Sequence, residues 1–422
     1  MASGPKPLRP PLQGAPSGAT PCRVCPSPGE PVSTPTRPAQ SRVVFPRGST
    51  TADELRHTPD VAEDLRRSLP SRLDVVEHVL SLGRQVVAVM PIHYPRALLR
   101  AHRLHPMEIW GPPHVERHEG SRHFQVYTCD IVVKAMSFLR SGGLDATRAI
   151  LVPHTCDALQ GMGSVLGDFL RPDQRVLTLY LPRGRRASDH DFLRLELQRL
   201  SQTLVDVSGH QPSERDWAEA FEAEDAADAA LADLYQRRAR IAVSDRDFYT
   251  IVRSREFLTA EQFCEQAAAL PAGDAPHRGV GLMISGIVAE PLELFDQVEA
   301  MGAYVAGDDL ACGYRRVYSL STEDDPFERS ANRLLSSPAD PTCGTPIQVR
   351  VDTLQTRMRA MGARGLLIYD PKFCEPELFD VPLLRKHLNE AGYPVLHVEF
   401  EMGESLPHQA LSRIEAFVET LS

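Results

Sequence analysis

Short aliphatic runs rich in β-branched residues recur along this chain, and stretches with helical spacing lie between them. Arg84-Gln-Val-Val-Ala-Val-Met-Pro91 is one such run, closed by Gly83 before it and Pro91 at its end. It lacks the alternation of a strand with one wet face, so it reads as a strand buried on both sides. Met107-Glu-Ile-Trp-Gly111, Ala149-Ile-Leu-Val152 and Val176-Leu-Thr-Leu-Tyr-Leu181 read as further strands. The helices expected between and around them run from about Pro95 to Arg103, from Ile131 to Leu139, and onward from Cys156. Strands alternating with helices at this spacing predict a parallel sheet covered on both faces.

The pattern starts again after a gap. Residues 189 to about 270 hold no convincing strand, only amphipathic stretches over Asp191–Val207, Ser213–Ile241 and Thr259–Leu270. Thr259-Ala-Glu-Gln262 suits a helix start. Gly279-Val-Gly-Leu-Met-Ile-Ser-Gly286 opens a second block, with strands Ala303–Ala306, Gly365–Tyr369 and Pro394–Val398. Its helices are expected at Pro291–Met301, Val381–Glu390 and Gln409–Leu421. Before the first strand, residues 1–50 are rich in Pro, Ser, Gly and Arg with almost no apolar periodicity, the composition of a disordered tail. Helical spacing begins near residue 52 and runs to Leu80. The expected organisation is therefore a tail at 1–50, an α/β domain with N-terminal helices at 51–188, a helical segment at 189–277 and a second α/β domain at 278–422.

A chain of 422 residues is too long for one hydrophobic core. A net charge of −10 argues against the nucleic-acid backbone as a main partner. No run approaches the ~18 apolar residues of a membrane span, and no apolar signal core stands at the N-terminus, so a cytoplasmic protein is expected. Eight cysteines at irregular intervals favour free thiols or metal ligation over a disulfide framework.

Three of these cysteines stand in polar turns ahead of expected helices: Cys129 in Tyr127-Thr-Cys-Asp-Ile131, Cys156 in Pro153-His-Thr-Cys-Asp157, and Cys374 in Asp370-Pro-Lys-Phe-Cys-Glu-Pro376. Cys156 and Cys374 fall beyond the carboxyl ends of strands, where ligands gather in open parallel sheets. A helix N-terminus adds free N–H groups and about half a positive charge, which favours the thiolate. Three soft ligands suit an iron–sulfur cluster or zinc with an open position. Their intervals match no compact motif, so unconnected loop cysteines stay open as the alternative.

Other features rank below them. Cys22 and Cys25 have metal-like spacing but stand in the tail without a second pair. Cys264 is expected in a helix core, Cys343 in a proline-rich loop without a role, and Cys312 either at the same cleft or apart from it. His154 is the one histidine placed near the three cysteines, and Trp110 and Gly111 either line a substrate cleft or pack in the core. The chain contains no Gly-x-x-x-x-Gly-Lys loop, no Gly-x-Gly-x-x-Gly after an expected strand and no Gly-x-Ser-x-Gly elbow.

Five collinear segments carry a resemblance: Val152-Pro-His-Thr-Cys-Asp157, Gly302–Arg315, Gly365–Cys374, Ala391–Glu399 and Ser412-Arg-Ile-Glu-Ala-Phe417. Together they resemble the 2-hydroxyacyl-CoA dehydratase and benzoyl-CoA reductase subunit family. The resemblance implies two Rossmann-like or flavodoxin-like domains with a helical part, and a 4Fe–4S cluster on Cys129, Cys156 and Cys374. It implies a hydro-lyase acting on an acyl-CoA thioester, paired with a related second subunit or with itself as a dimer. A separate ATP-hydrolysing iron–sulfur activator would donate one electron, consistent with the missing phosphate loop. The chemistry expected is elimination of water through a ketyl radical, which acidifies an otherwise unacidic β-proton. Two alternatives stay open: a reductase, either a benzoyl-CoA reductase subunit or a double-cubane 8Fe–9S relative, and a non-catalytic scaffold or electron-transfer subunit. Arg96-Ala97 stands where acidic residues are expected in many relatives, and no general base is assigned.

Overall fold

A computed structural model of the chain describes residues 72–110, 115–402 and 405–422. The expected tail with Cys22 and Cys25, the helical spacing before residue 72, and Gly111 lie outside the described residues. All described residues belong to one compact unit, Thr58–Ser422.

The architecture is α/β, with two four-stranded parallel sheets among many helices. The first sheet is built from β1 (Gln85–Val89), β2 (Leu104–Glu108), β3 (Ala149–His154) and β4 (Arg175–Tyr180), in the order β2-β1-β3-β4. The second uses β5 (Val280–Gly286), β6 (Ala303–Leu310), β7 (Gly365–Pro371) and β8 (Val395–Phe400), in the corresponding order β6-β5-β7-β8. Crossover helices join successive parallel strands, as their geometry requires. The first half holds α1 (Arg72–Ser81) ahead of β1 and, between its strands, α2 (Arg96–Ala101), α3 (His118–Ser121), α4 (Asp130–Arg140) and α5 (Asp157–Ser164). Helices α6 (Ala187–Ser208), α7 (Glu214–Gln236), α8 (Asp245–Ser254) and α9 (Ala260–Ala268) fill the stretch between the sheets. The second half adds α10 (Glu293–Ala300), α11 (Pro326–Leu335), α12 (Ile347–Met361), α13 (Glu375–Glu390) and the terminal α14 (His408–Leu421).

Strand β1 shows why its sequence is unbroken. Val86 and Ala88 enter one apolar cluster while Val87 and Val89 enter another, so both faces of the sheet are dry. The cluster holding Val86 and Ala88 also contains Leu282 and Ile284 of β5. The opposite face of the second sheet is covered by a third cluster around Met283, Ile368 and Leu384. The helix starts follow ordinary capping chemistry. Ser213 and Asp216 cap α7 reciprocally, and Thr259 and Gln262 do the same for α9.

Two strands differ from expectation. Strand β2 begins three residues earlier than Met107 and runs through Pro106, which pairs with Val87. It is an edge strand, where a missing N–H costs little. Strand β6 continues past Ala306 through Gly307-Asp-Asp-Leu310, residues that read as a loop. Their carboxylates find partners inside: Asp308 accepts from the Tyr249 hydroxyl at 2.9 Å and Asp309 from the Ser285 hydroxyl at 2.9 Å. Partnered burial overrides the low strand propensity of Asp. Helices α11 and α12 occupy a segment with no expected element. In α12 the buried Val351, Leu354 and Met358 form the apolar stripe, but Arg350 and Arg357 on the same helix are buried too and blur it.

Candidate functional site

Each of the three singled-out cysteines is the N-cap of a helix: Cys129 of α4, Cys156 of α5 and Cys374 of α13. Cys156 follows β3 and Cys374 follows β7, the strands that hold the third place in two identically ordered sheets. The two sheets therefore present a thiol at the same relative position beyond their carboxyl ends. Cys129 joins them from the loop that leads into α4.

The thiols form one electrostatic group. The S–H of Cys374 is hydrogen-bonded to Cys129, which lowers the proton affinity of Cys129, with help from the Ile131 and Val132 N–H groups against burial. The same bond, reinforced by burial, raises Cys374 well above the ordinary thiol range. Burial and then the negative charge of Cys129 push Cys156 up to about 12, against the N–H groups of Leu159 and Ala158. Cys129 and Cys374 are buried and Cys156 is half-buried. Among the described residues, no three Cys, His, Asp or Glu side chains form a cage for a single metal ion. A cluster makes a different demand from a single ion, because each thiolate then has its own iron to bind.

Asp130 builds the site around Cys129. Its N–H donates to the Lys372 carbonyl at 3.1 Å, its carboxylate accepts from the Met402 N–H, and Arg117 Nε lies 2.8 Å from Oδ1. Lys372 in turn pairs with Glu401 at 2.6 Å. Asp130 thus ties the start of α4 to the end of β7 through its backbone N–H and to the segment after β8 through its buried carboxylate, beside the Cys129–Cys374 pair. Asp157, in the equivalent place after Cys156, is exposed and only 3.9 Å from Arg183. Phe373, just before Cys374, has φ +61°, a strained conformation for a bulky side chain. Exposed apolar residues lie near the cysteines in sequence: Val126, Tyr127, Phe373 and, one turn into α13, Phe379 at 71% exposure.

The remaining candidates make contacts of their own. His154 ends β3 and packs edge-on against Tyr180 at 4.6 Å, with its basicity lowered by burial. Cys264 is half-buried in α9. Cys312 is fully buried beside Arg253, Glu256 and Arg316, and burial pushes its thiol up to about 12. Trp110 is buried as well, its indole N–H donating to Glu108 at 2.9 Å. Glu108 is a hub that also accepts from Tyr94, Arg96 and Arg316. A second buried network joins Arg315 to Asp309 and Glu377, and Arg350 to Glu377 and Asp380. Sequence reading missed both networks. The one available signal was the pair of carboxylates in Gly307–Leu310, followed by Arg315-Arg316.

The model of the 2-hydroxyglutaryl-CoA dehydratase D-component family matches residues 91–421. The chain is 23% identical to the (R)-phenyllactyl-CoA dehydratase beta subunit of Clostridium sporogenes, over 82% of this chain and 94% of the relative. It is 24% identical to the lactoyl-CoA dehydratase subunit beta of Anaerotignum propionicum, over 87% of this chain and 98% of that one. A benzoyl-CoA reductase subunit of Thauera aromatica is 24% identical over 76% of this chain and 86% of its own length. With the family model matching most of its length, the chain belongs to the 2-hydroxyglutaryl-CoA dehydratase D-component family.

Proposed function

We propose that the chain is the iron–sulfur subunit of a 2-hydroxyacyl-CoA dehydratase, with Cys129, Cys156 and Cys374 holding a 4Fe–4S cluster. The observation that carries this reading is the grouping of three helix-capping thiols, two of them in contact, at the carboxyl ends of both sheets. The donor set fits the group: soft thiols, mostly buried, each facing the positive end of a helix. When bound, the cluster would supply the single electron that makes removal of an unacidic β-proton and loss of hydroxide feasible. The chain's own residues do the rest. The N–H groups at the starts of α4 and α5 favour thiolates at Cys129 and Cys156 against burial, and Asp130 braces the start of α4 beside Cys374. The apolar side chains of Val126, Tyr127 and Phe379 exclude water once a partner covers them.

That partner would be a related second subunit, or a second copy of this chain. Relatives that are themselves named as single subunits of dehydratases and of a reductase support the multi-subunit reading. The electron would come from a separate ATP-hydrolysing iron–sulfur activator, and the chain's lack of a phosphate loop agrees with a separate ATPase. A cytoplasmic setting for the complex is part of the proposal. Among the described residues, no helix is long and apolar enough to cross a membrane.

The likeness to the benzoyl-CoA reductase subunit favours a second reading, a reductase that adds electrons to an acyl-CoA instead of returning them. Anaerobic assay with an activator, ATP and a panel of 2-hydroxyacyl-CoA and aromatic acyl-CoA thioesters tests the two. Enoyl-CoA formation without net electron consumption is expected. Stoichiometric consumption of reductant would favour the reductase, and no turnover beside a competent second subunit would favour a scaffold.

A further inference from the structure

We propose that Glu377, clamped between Arg315 and Arg350, is the positioning residue of the three-thiol site: it fixes the first turn of α13, and Arg315-Arg316 fixes that turn against the first sheet. The inference rests on the reading of Cys129, Cys156 and Cys374 as one site. Glu377 lies in the turn that Cys374 caps, and its N–H donates to the Cys374 carbonyl at 3.1 Å. Only 1% of its surface is exposed. One oxygen of its carboxylate accepts from Arg315 Nη1 at 2.6 Å and the other from Arg350 Nη2. Both arginines are themselves fully buried.

Neither arginine is free to turn. Nε and Nη2 of Arg315 grip the two oxygens of Asp309, near the end of β6, at 3.2 and 2.9 Å. Arg350 Nη2 also donates to the Ser285 hydroxyl of β5 at 3.1 Å, and its Nη1 donates to Asp380 at 2.8 Å. The first turn of α13 is thereby held to β5, β6 and α12 at once. Arg316, the next residue, serves the other half of the molecule. Its Nη2 donates to Glu108, the last residue of β2, and its Nε donates to the Ala311 carbonyl at 3.2 Å. Asp340 adds a second link, lying 3.7 Å from Arg315 Nη1 and 3.4 Å from His93 Nε2 beyond β1. From the first sheet a line of buried partners thus runs through Glu108, Arg316, Arg315 and Glu377 to the turn that carries Cys374.

For stability alone, such a network does little that packed apolar side chains of the same volume would not do as well. What it adds is a single geometry, because two-pronged arginine bonds hold in one arrangement only. Thiols that must meet one shared group call for positions held to within about 0.5 Å. On the first-sheet side, the Asp130 N–H bonds the Lys372 carbonyl at 3.1 Å, which sets Cys129 against the segment just before Cys374. A shift of the α13 turn therefore alters the approach of these two sulfurs.

The test is the rate at which diamide cross-links Cys129 to Cys374 in the metal-free full chain, read by peptide mapping. The two thiols give up two protons and two electrons to diamide, which becomes the hydrazine, and the S–S bond forms. Glu377→Asp and Arg315→Lys keep every charge but withdraw the carboxylate or remove the fork. Each should slow cross-linking by about 10-fold or more, because reaction between held groups falls steeply with misplacements of about 1 Å. Glu224→Asp is the control, since Glu224 pairs with the buried Arg255 in the same manner on α7. It should leave the rate unchanged. Wild-type rates in folded Glu377→Asp and Arg315→Lys, equal slowing by Glu224→Asp, or a wild-type chain that forms no Cys129–Cys374 disulfide overturns the proposal. Should Glu377→Asp lack native circular dichroism, Arg315→Lys decides. Iron uptake by the wild-type chain with unslowed cross-linking in the variants would remove this inference and leave the cluster reading standing; slowed cross-linking without iron uptake would do the reverse.

Discussion

Asp130 and Asp157 show how differently one dipeptide can be used. Both follow a helix-capping cysteine, yet Asp130 is fully buried and binds Arg117 and the Met402 N–H, whereas Asp157 is exposed. Replacing Asp130 by Asn keeps the shape but removes the charge opposite Arg117, at a cost of about 1–3 kcal/mol. In urea denaturation, Asp130→Asn should lower the midpoint clearly and Asp157→Asn by less than about 0.5 kcal/mol equivalent. Equal effects would mean that Asp130 does not anchor the site. Cys-Asp was visible twice in the sequence, but which aspartate would be buried was not. That depends on Lys372 and Met402, more than 240 residues away along the chain.

At the scale of elements, the fold was legible wherever periodicity was simple. Strand β1, whose alternate residues feed two dry cores, and the capped helices α7 and α9 were readable from sequence alone. Strand β6 and helix α12 were not, because Asp308, Asp309, Arg350 and Arg357 are charged residues that read as surface and are in fact buried with partners. The edge of the first sheet carries a pH dependence of its own. His105 of β2 donates to the Phe257 carbonyl at 2.7 Å, and His102, which ends α2, bonds Ser201 of α6 at 2.9 Å. Burial lowers both imidazoles to about 4, from an unfolded value near 6.5. The unfolded chain therefore binds these protons first as pH falls. Their contribution to stability is complete above about 6.5 and is lost progressively down to about 4. Unfolding free energy measured at pH 7 and pH 5 should drop by about 1–3 kcal/mol, and His105→Gln should flatten that drop. A His105→Gln protein with the wild-type pH dependence would show that β2 is not the sensor.

At the scale of the whole molecule, two identically ordered sheets each place a cysteine beyond their third strand, and a third joins from the α4 turn. The exposed aromatics nearby, Phe379 at 71% exposure among them, form on the proposed subunit reading the surface that a partner would cover. On the proposed subunit reading, Phe379→Asp should leave iron content unchanged and weaken association with the partner subunit by about 10-fold or more in sedimentation velocity. Unchanged association would remove α13 from the interface. The central claim is tested most directly by iron and acid-labile sulfide content after anaerobic reconstitution of the full chain, beside Cys129→Ala, Cys156→Ala and Cys374→Ala. The expected result is about four irons and four sulfides per wild-type chain and marked loss in each variant. A wild-type chain that takes up no iron, or three variants that all retain it in full, would contradict the assignment.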